Sequence, residues 1–357
     1  MQEGFPFKKQ ITDRGLSIDL GGNGRYVYII CTISTVQRVV CYDSTLLTAA
    51  NYAGAGTWTV NPFVSQINTT QGPTTLVYVP TRKEVWAISP STVERINADP
   101  SSASFNTIVG SFTHTSGQPQ VGVCYVSGHD VVLIGANNNP RILSCKSLSQ
   151  IGTSFPFYQG SVDVSARTNI QCNHINQSVM VGGIANSICS VAFYTTSVNY
   201  SSLFSVYSGV GFNALSISGE YIIARTLTAL QVWRIINGVY QRLATLSVTT
   251  ASNVSRYARI GNAIYLPNGN NLRKIILEPV ILDGGSLACG TSGNSAVFQA
   301  NNGAIIISAI SSGTTSQINV FNPSTDTYVG YITLPGTYDS LNSVNNHFSH
   351  CKNQLEI

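Results

Sequence analysis

An all-β fold follows from three features of this sequence. Short runs of β-branched and aromatic residues recur along its length. Clusters of Gly, Asn, Ser and Pro separate them, as turns separate strands. No window of about 11–18 residues carries apolar side chains at the i, i+3, i+4, i+7 spacing of an amphipathic helix.

Seven of the runs are strongly apolar. They begin near Tyr26 (YVYIIC), Leu76 (LVYVP), Asp130 (DVVLIG), Ser178 (SVMVGG), Glu220 (EYIIAR), Ala263 (AIYLP) and Ala304 (AIIISA). Each is expected to be the second strand of a four-stranded unit. Tight-turn signals precede most of them: Gly22-Asn23-Gly24, Ser127-Gly128-His129, Ser218-Gly219, Gly261-Asn262 and Asn302-Gly303. Such residues accept the positive φ of two-residue hairpins. A third strand is expected after each: VVCYD at 39–43, VWAIS at 85–89, RILSC at 141–145, CSVAFY at 189–194, LQVWRI at 230–235, LRKIIL at 272–277 and INVFN at 318–322. Four antiparallel strands in every ~40–50 residues, repeated, is the pattern of a β-propeller. Seven four-stranded blades fit best, with six or eight as alternatives. In such a ring each blade covers the face of the next.

The expected organisation is an N-terminal arm over residues 1–15, a propeller over 16–335, and a closing strand or tail over 336–357. Phe5-Pro6-Phe7 marks the arm, because two aromatics around a rigid proline make a compact anchor. With Lys8 and Lys9 they are the candidate partner-binding residues. A frayed end capping the ring is the alternative reading.

The segment Ile318-Asn319-Val320-Phe321-Asn322-Pro323-Ser324-Thr325-Asp326-Thr327-Tyr328-Val329-Gly330-Tyr331-Ile332 resembles a blade of the YVTN/NHL-like β-propellers, which run strand, Asp/Asn-Pro-x-Thr turn, strand. Glu84 to Val93 (EVWAISPSTV) and Val39 to Leu46 (VVCYDSTL) are similar. The resemblance implies the fold and no catalytic residues, since its shared element is structural. The proline that usually opens each blade of that family is mostly missing here.

Composition bounds the function. Of 357 residues, 10% are charged and 43% hydrophobic, with a net charge of +4. A core can form and disorder is excluded. The positive balance is too sparse to argue for nucleic acid. Lys8-Lys9, Arg82-Lys83 and Arg273-Lys274 read as solvated strand ends. The longest apolar runs fall far short of the ~18 residues of a membrane helix. The N-terminus lacks the basic start, apolar stretch and small-residue site of a secretory signal.

Chemistry-bearing motifs are scarce. Eight cysteines include no CxxC pair, so a zinc ribbon or redox site is not expected. Most read as small core hydrophobes. Cys31 and Cys41, across one hairpin, are the best disulfide candidates. Asp130, Asp163, Glu220 and Asp283 are the conceivable acid/base carboxylates, though turn capping or solvation is the expected role of most. No sialidase-type Asp box is present. His347-x-x-His350-Cys351, with Cys289 as a further ligand, is the one cluster of metal-ligand types, and no metal or cofactor is expected. His114, His129 and His174 read as turn or surface residues. Trp58, Tyr158, Tyr200 and Tyr338 stand in loop-like contexts where aromatics stack on sugar rings.

A neutral, Ser/Thr/Asn/Gly-rich all-β chain of this kind fits a virion exterior protein made in the host cytoplasm. The expectation is a non-enzymatic structural or adhesion component of a bacteriophage or archaeal virus: a spike, turret, tail or decoration protein. Its partners would be other virion proteins in a symmetric assembly, and a host receptor or glycan. A carbohydrate-binding propeller is the alternative. A glycoside hydrolase or lyase with an axial site is the second alternative.

Overall fold

A computed structural model describes residues 25–335 and 348–350, less 34–35, 116–119, 127–129, 137–140, 152–157, 160–161, 164–168, 174–177, 183–186, 194–197, 206–213, 219–220, 226–228, 237–238, 248–257, 291–293, 301–304 and 313–314. The chain is all-β. Its regular structure among the described residues is strands and three one-turn 3-10 helices. Among the described residues no helix is long and apolar enough to cross a membrane.

Seven four-stranded antiparallel sheets follow one another along the chain. The first contains Tyr26–Ile33, Val36–Asp43 and Phe63–Ile67, and its leading strand is Phe348–His350 from the far end of the sequence. The second is Thr75–Val79, Glu84–Ile88, Thr92–Asn97 and Ile108–Thr113. The third is Gln120–Val126, Val131–Ala136, Arg141–Ser144 and Ser149–Ile151, and the fourth is Asn169–Asn173, Ser178–Gly182, Ser187–Phe193 and Val198–Ser205. The fifth is Ala214–Ser218, Tyr221–Arg225, Ala229–Ile236 and Val239–Ser247. The sixth is Ala258–Ile260, Ala263–Asn268, Asn271–Ile276 and Leu282–Ala288, and the seventh is Asn294–Ala300, Ile305–Ser312, Thr315–Asn322 and Thr327–Thr333.

The apolar runs of the first, second, sixth and seventh sheets are continuous rather than alternating because both faces of these sheets are covered. Side chains alternate across a strand, and here each face meets a different neighbour. In Tyr26–Ile33, Val27, Ile29 and Cys31 pack with Ile318, Val320 and Ile332 of the seventh sheet. Tyr26, Tyr28 and Ile30 turn the other way, onto Leu76 and Tyr78 of the second. Val77 and Val79, which alternate with those two along the strand, join Trp86 and Ile88 against Val123, Tyr125 and Val132 of the third. Tyr221, Ile223 and Val232 of the fifth meet Ile264, Leu266 and Ile275 of the sixth. Tyr265 and Leu272 of the sixth meet Phe321 of the seventh. The leading strand of the fourth sheet lies against those of the third and the fifth. Burial falls off across the second sheet: Thr75–Val79 and Glu84–Ile88 are buried throughout, whereas Ile108–Thr113 is half-exposed.

Six of the seven expected second strands stand second in their sheets. The exception is LVYVP, which leads the second sheet, so that VWAIS is second and not third. The true third strand, Thr92–Asn97, reads TVERIN. Its Glu94 and Arg95 hide it among polar sequence, although Glu94 is buried. The connection between the first two strands is also unlike the glycine hairpins, being a 3-10 turn over Pro80–Arg82 that ends on Lys83 in the left-handed region, φ 52°.

The candidate disulfide Cys31–Cys41 is not formed, and the reading of these cysteines as small core hydrophobes holds. Both thiols are free and buried. Cys31 lies opposite Arg38 and Cys41 opposite Tyr28, three positions apart along the ladder. An odd offset sends them to opposite faces: Cys31 packs toward the seventh sheet and Cys41 toward the second. Burial pushes each thiol up to about 12, so both stay protonated.

Candidate functional site

Polar latches between successive sheets determine what surface remains for function. Tyr28, in the second strand of the first sheet, donates its hydroxyl to Asn106 Oδ1 at 2.7 Å. Asn106 belongs to the connection between the third and fourth strands of the second sheet. Tyr221 does the same to Glu278 Oε1 across the fifth and sixth sheets, at 2.9 Å. Tyr265 does so to Asp326 Oδ1 across the sixth and seventh, at 3.0 Å. In the last two a cation completes the set. Arg234 stands opposite Tyr221 in the ladder and lies over its ring, 5.2 Å from the centroid. Lys274 stands opposite Tyr265, lies 5.7 Å over its ring, and donates to Asp326 Oδ2 at 2.6 Å. Burial, then the Asp326 carboxylate, raises the Tyr265 hydroxyl well above its ordinary range. It is a hydrogen-bond donor throughout the physiological pH range.

Two further joints use different groups. Arg82 of the second sheet donates to the Cys145 carbonyl in the third–fourth connection of the third, at 3.2 Å. In the first sheet that connection carries the hairpin Tyr52–Gly54 and Thr57–Trp58. Its Trp58 Nε1 donates to the Tyr331 carbonyl of the seventh sheet at 3.1 Å. The Tyr52 ring rests on Gly330, where a Cβ would collide with it.

Every acid whose side chain is described has a bonding partner. Glu84 is buried and receives Arg82 Nε, Trp86 Nε1 and Arg95 Nη1 at 2.9–3.1 Å. Glu94 holds Thr70 through its backbone N–H and hydroxyl. Burial would raise the Asp43 carboxyl, but hydrogen bonds from Arg25 and Thr45 outweigh it and hold it low. Lys83 and Ser101 hold the Asp99 carboxyl at about 2. Arg273 holds that of Asp283 below its ordinary value.

The sequence candidates therefore separate. Asp130, at φ 51°, accepts from Thr81 and Tyr125 at 2.6 and 3.0 Å, in the turn of the third sheet. Asp283 pairs with Arg273 on the sixth. The structure does not bring these two together. The side chains of Asp163 and Glu220 lie outside the described residues. So do those of His129, His174, His347, His350 and Cys351, and among the described residues no three metal-ligating groups converge. Cys289 is buried and its thiol is pushed up to about 12 by that burial. Phe5, Phe7, Lys8 and Lys9 also lie outside, as do the side chains of Tyr158, Tyr200 and Tyr338.

Three readings are corrected. Trp58 is no sugar platform: it is half-buried, packs 5.0 Å from Tyr52 and is hydrogen-bonded to the seventh sheet. His114 is buried, with Nε2 3.2 Å from the Ser89 carbonyl, and that burial lowers its pKa. Arg82-Lys83 and Arg273-Lys274 are not merely solvated, since each of the four side chains has an acid partner.

One open groove among the described residues, of about 560 Å³, lies at the outer end of the fifth and sixth sheets. Its walls are Leu243 and Ala244 of the outermost strand of the fifth sheet and Pro279, Val280 and Ile281 leading into that of the sixth. The latch Tyr221–Glu278, with Arg234, forms its polar side. Leu243 and Val280 in its walls are 41% and 60% exposed, and the adjoining Leu282 is 54% exposed. The sequence signal was present as Pro279-Val280-Ile281-Leu282, an apolar run that reads as a strand but emerges from the sixth sheet at its rim.

No family model matches the chain, and no curated protein matches it. Solved structures do. A functionally unknown protein from Desulfotomaculum acetoxidans DSM 771 superposes with a TM-score of 0.67 at 11% identity, over 91% of this chain and 99% of that one. The computationally designed Ika8 protein superposes with a TM-score of 0.56 at 13% identity, over 88% of each chain. At such identities the likeness is one of fold alone.

Proposed function

We propose that the seven sheets are the blades of a β-propeller, of the kind the YVTN/NHL-like repeats resemble, and that the chain is a non-enzymatic structural and adhesion protein of a virion exterior. Support for the ring comes from the packing of the seventh sheet on the first. The pairing of Phe348–His350 with Tyr26–Ile33 supports it as well, because it joins the two ends of the sequence in one blade. The observation that carries the function is the use of the acids. The described carboxylates brace turns, strands and blade joints, so the fold employs its few charges internally. The outermost strands meanwhile show exposed apolar side chains such as Phe63, Val109, Leu243 and Leu282. A weakly charged surface of this kind suits contacts made by shape and burial, with little salt dependence. Incorporation through the arm tests the reading. Deleting residues 1–12 is expected to leave the strand content and unfolding midpoint unchanged and to abolish entry into particles. Particles that take up the truncated chain at wild-type stoichiometry would remove the arm's role.

A further inference from the structure

We propose that His114 is an acid-sensitive clasp on the crossing from the second sheet to the third, and that protonation of its ring opens this crossing while both sheets stay folded. The crossing leaves the outermost strand of the second sheet, Ile108–Thr113, at the end of that sheet opposite Asn106. Both sheets hold it. On the second, the His114 N–H donates to the Ser91 carbonyl at 2.9 Å, and Nε2 of the ring lies 3.2 Å from the Ser89 carbonyl. On the third, Gln150 Oε1 accepts from the N–H and the hydroxyl of Thr115, each at 2.9 Å. Arg141 Nε donates to the Thr115 carbonyl.

The ring is fitted for one charge state. A carbonyl only accepts, so the single N–H of the neutral imidazole stands at Nε2 and is given to Ser89. Nδ1 then carries a lone pair, and it has no partner although the ring is buried. The imidazolium has a second N–H and needs a second acceptor. The acceptor beside the ring is the Thr115 carbonyl, which already receives Arg141. Proton and guanidinium therefore compete for one carbonyl. Arg141 is the charged group that faces the ring. Glu94, the acid of the adjoining strand Thr92–Asn97, turns its carboxylate to Thr70 and Gln71 instead. Burial is the main cause that keeps the ring neutral, and Arg141 adds to it against the pull of the two carbonyls.

Once the crossing is open the ring stands in water and takes its proton near the ordinary value of about 6.5. Acid thus favours the open form, by up to about tenfold per pH unit below 6.5, until the buried ring itself titrates. Val77, Trp86 and Val93 of the second sheet meet Val123 and Val132 of the third, and these five side chains do not titrate. They hold the two sheets together while the crossing opens.

Hydrogen–deuterium exchange of the full-length protein, read by mass spectrometry and corrected for its intrinsic pH dependence, tests this. Residues 108–115 are expected to exchange at least about tenfold faster at pH 5 than at pH 7, with residues 84–88 unchanged. His114→Gln keeps a donor for Ser89 and does not titrate, so its exchange is expected to be equal at the two pH values. Arg141→Gln removes the competing cation. It is expected to raise exchange at pH 7 and to shrink the ratio between the two conditions. Equal exchange of 108–115 in the wild type, a parallel rise in 84–88, an acid response that survives in His114→Gln, or a ratio unchanged in Arg141→Gln would each overturn the proposal. If a variant does not fold, the wild type alone decides. The rise in 108–115 must then follow the NMR titration of one of the five histidine rings, displaced below about 6.5, and a rise that follows none of them overturns it. The clasp stands apart from the virion reading, which neither result alters.

Discussion

Tyr265 shows how a single side chain joins two sheets. Its ring packs against Phe321 of the seventh sheet, 6.0 Å between centroids, and its hydroxyl crosses to Asp326. Tyr265→Phe keeps the ring and removes the donor. It is expected to lower stability by about 1 kcal/mol in denaturant titration, the net worth of one such bond. Lys274 continues to neutralise Asp326, which keeps the loss small. Glu84→Ala is a harsher change. It leaves Arg95, whose side chain is 13% exposed, without its carboxylate and Trp86 Nε1 without its acceptor. Breaking a buried ion pair from one side costs about 3 kcal/mol or more, so the denaturation midpoint is expected to fall well below that of Tyr265→Phe. Neither residue was legible as a partner of anything in the sequence. Tyr265 and Asp326 are 61 positions apart, and Glu84 looks like an ordinary strand-end charge.

At the level of the strand and the sheet, much more could be read. Strands buried on both faces give continuous apolar runs, and such runs place six of the seven second strands correctly. The second sheet fails for a physical reason. Its third strand buries Glu94 under Thr70 and pairs Arg95 with Glu84, so its interior looks polar in sequence. Three aspartates make the sheets sensitive to pH. Asp43, Asp99 and Asp283 all titrate below their ordinary range in the folded chain. Their contribution is therefore complete above the unfolded value of about 3.9. It is lost as pH falls through the folded values, because the unfolded chain takes up the protons first. His114 acts in the same direction at higher pH. Its lowered folded pKa makes its contribution complete above about 6.5 and reduces it below that value. Denaturant midpoints are expected to decline modestly from pH 6.5 and more steeply below pH 4. His114→Gln should flatten only the first part, and Asp99→Asn only the second.

For the whole molecule, the far-separated contacts matter most. Phe348–His350 supplies the leading strand of the first sheet and also lies near the second. Removing residues 340–357 would strip a partner from Tyr26–Ile33, whose side chains are buried. That truncation is expected to bind a hydrophobic dye strongly and to unfold without a sharp transition, whereas deletion of residues 1–12 should do neither. The repeat spacing made the succession of four-stranded sheets legible, but it left residues 336–357 open between a closing strand and a tail. The groove was not legible, because its walls come from two sheets and its apolar residues resemble a strand. The most direct measurement of the central claim is mass spectrometry of purified particles from the source. The account predicts the intact chain among their components at a fixed stoichiometry. Its absence from particles, with the chain recovered from medium or cells instead, would contradict the virion reading.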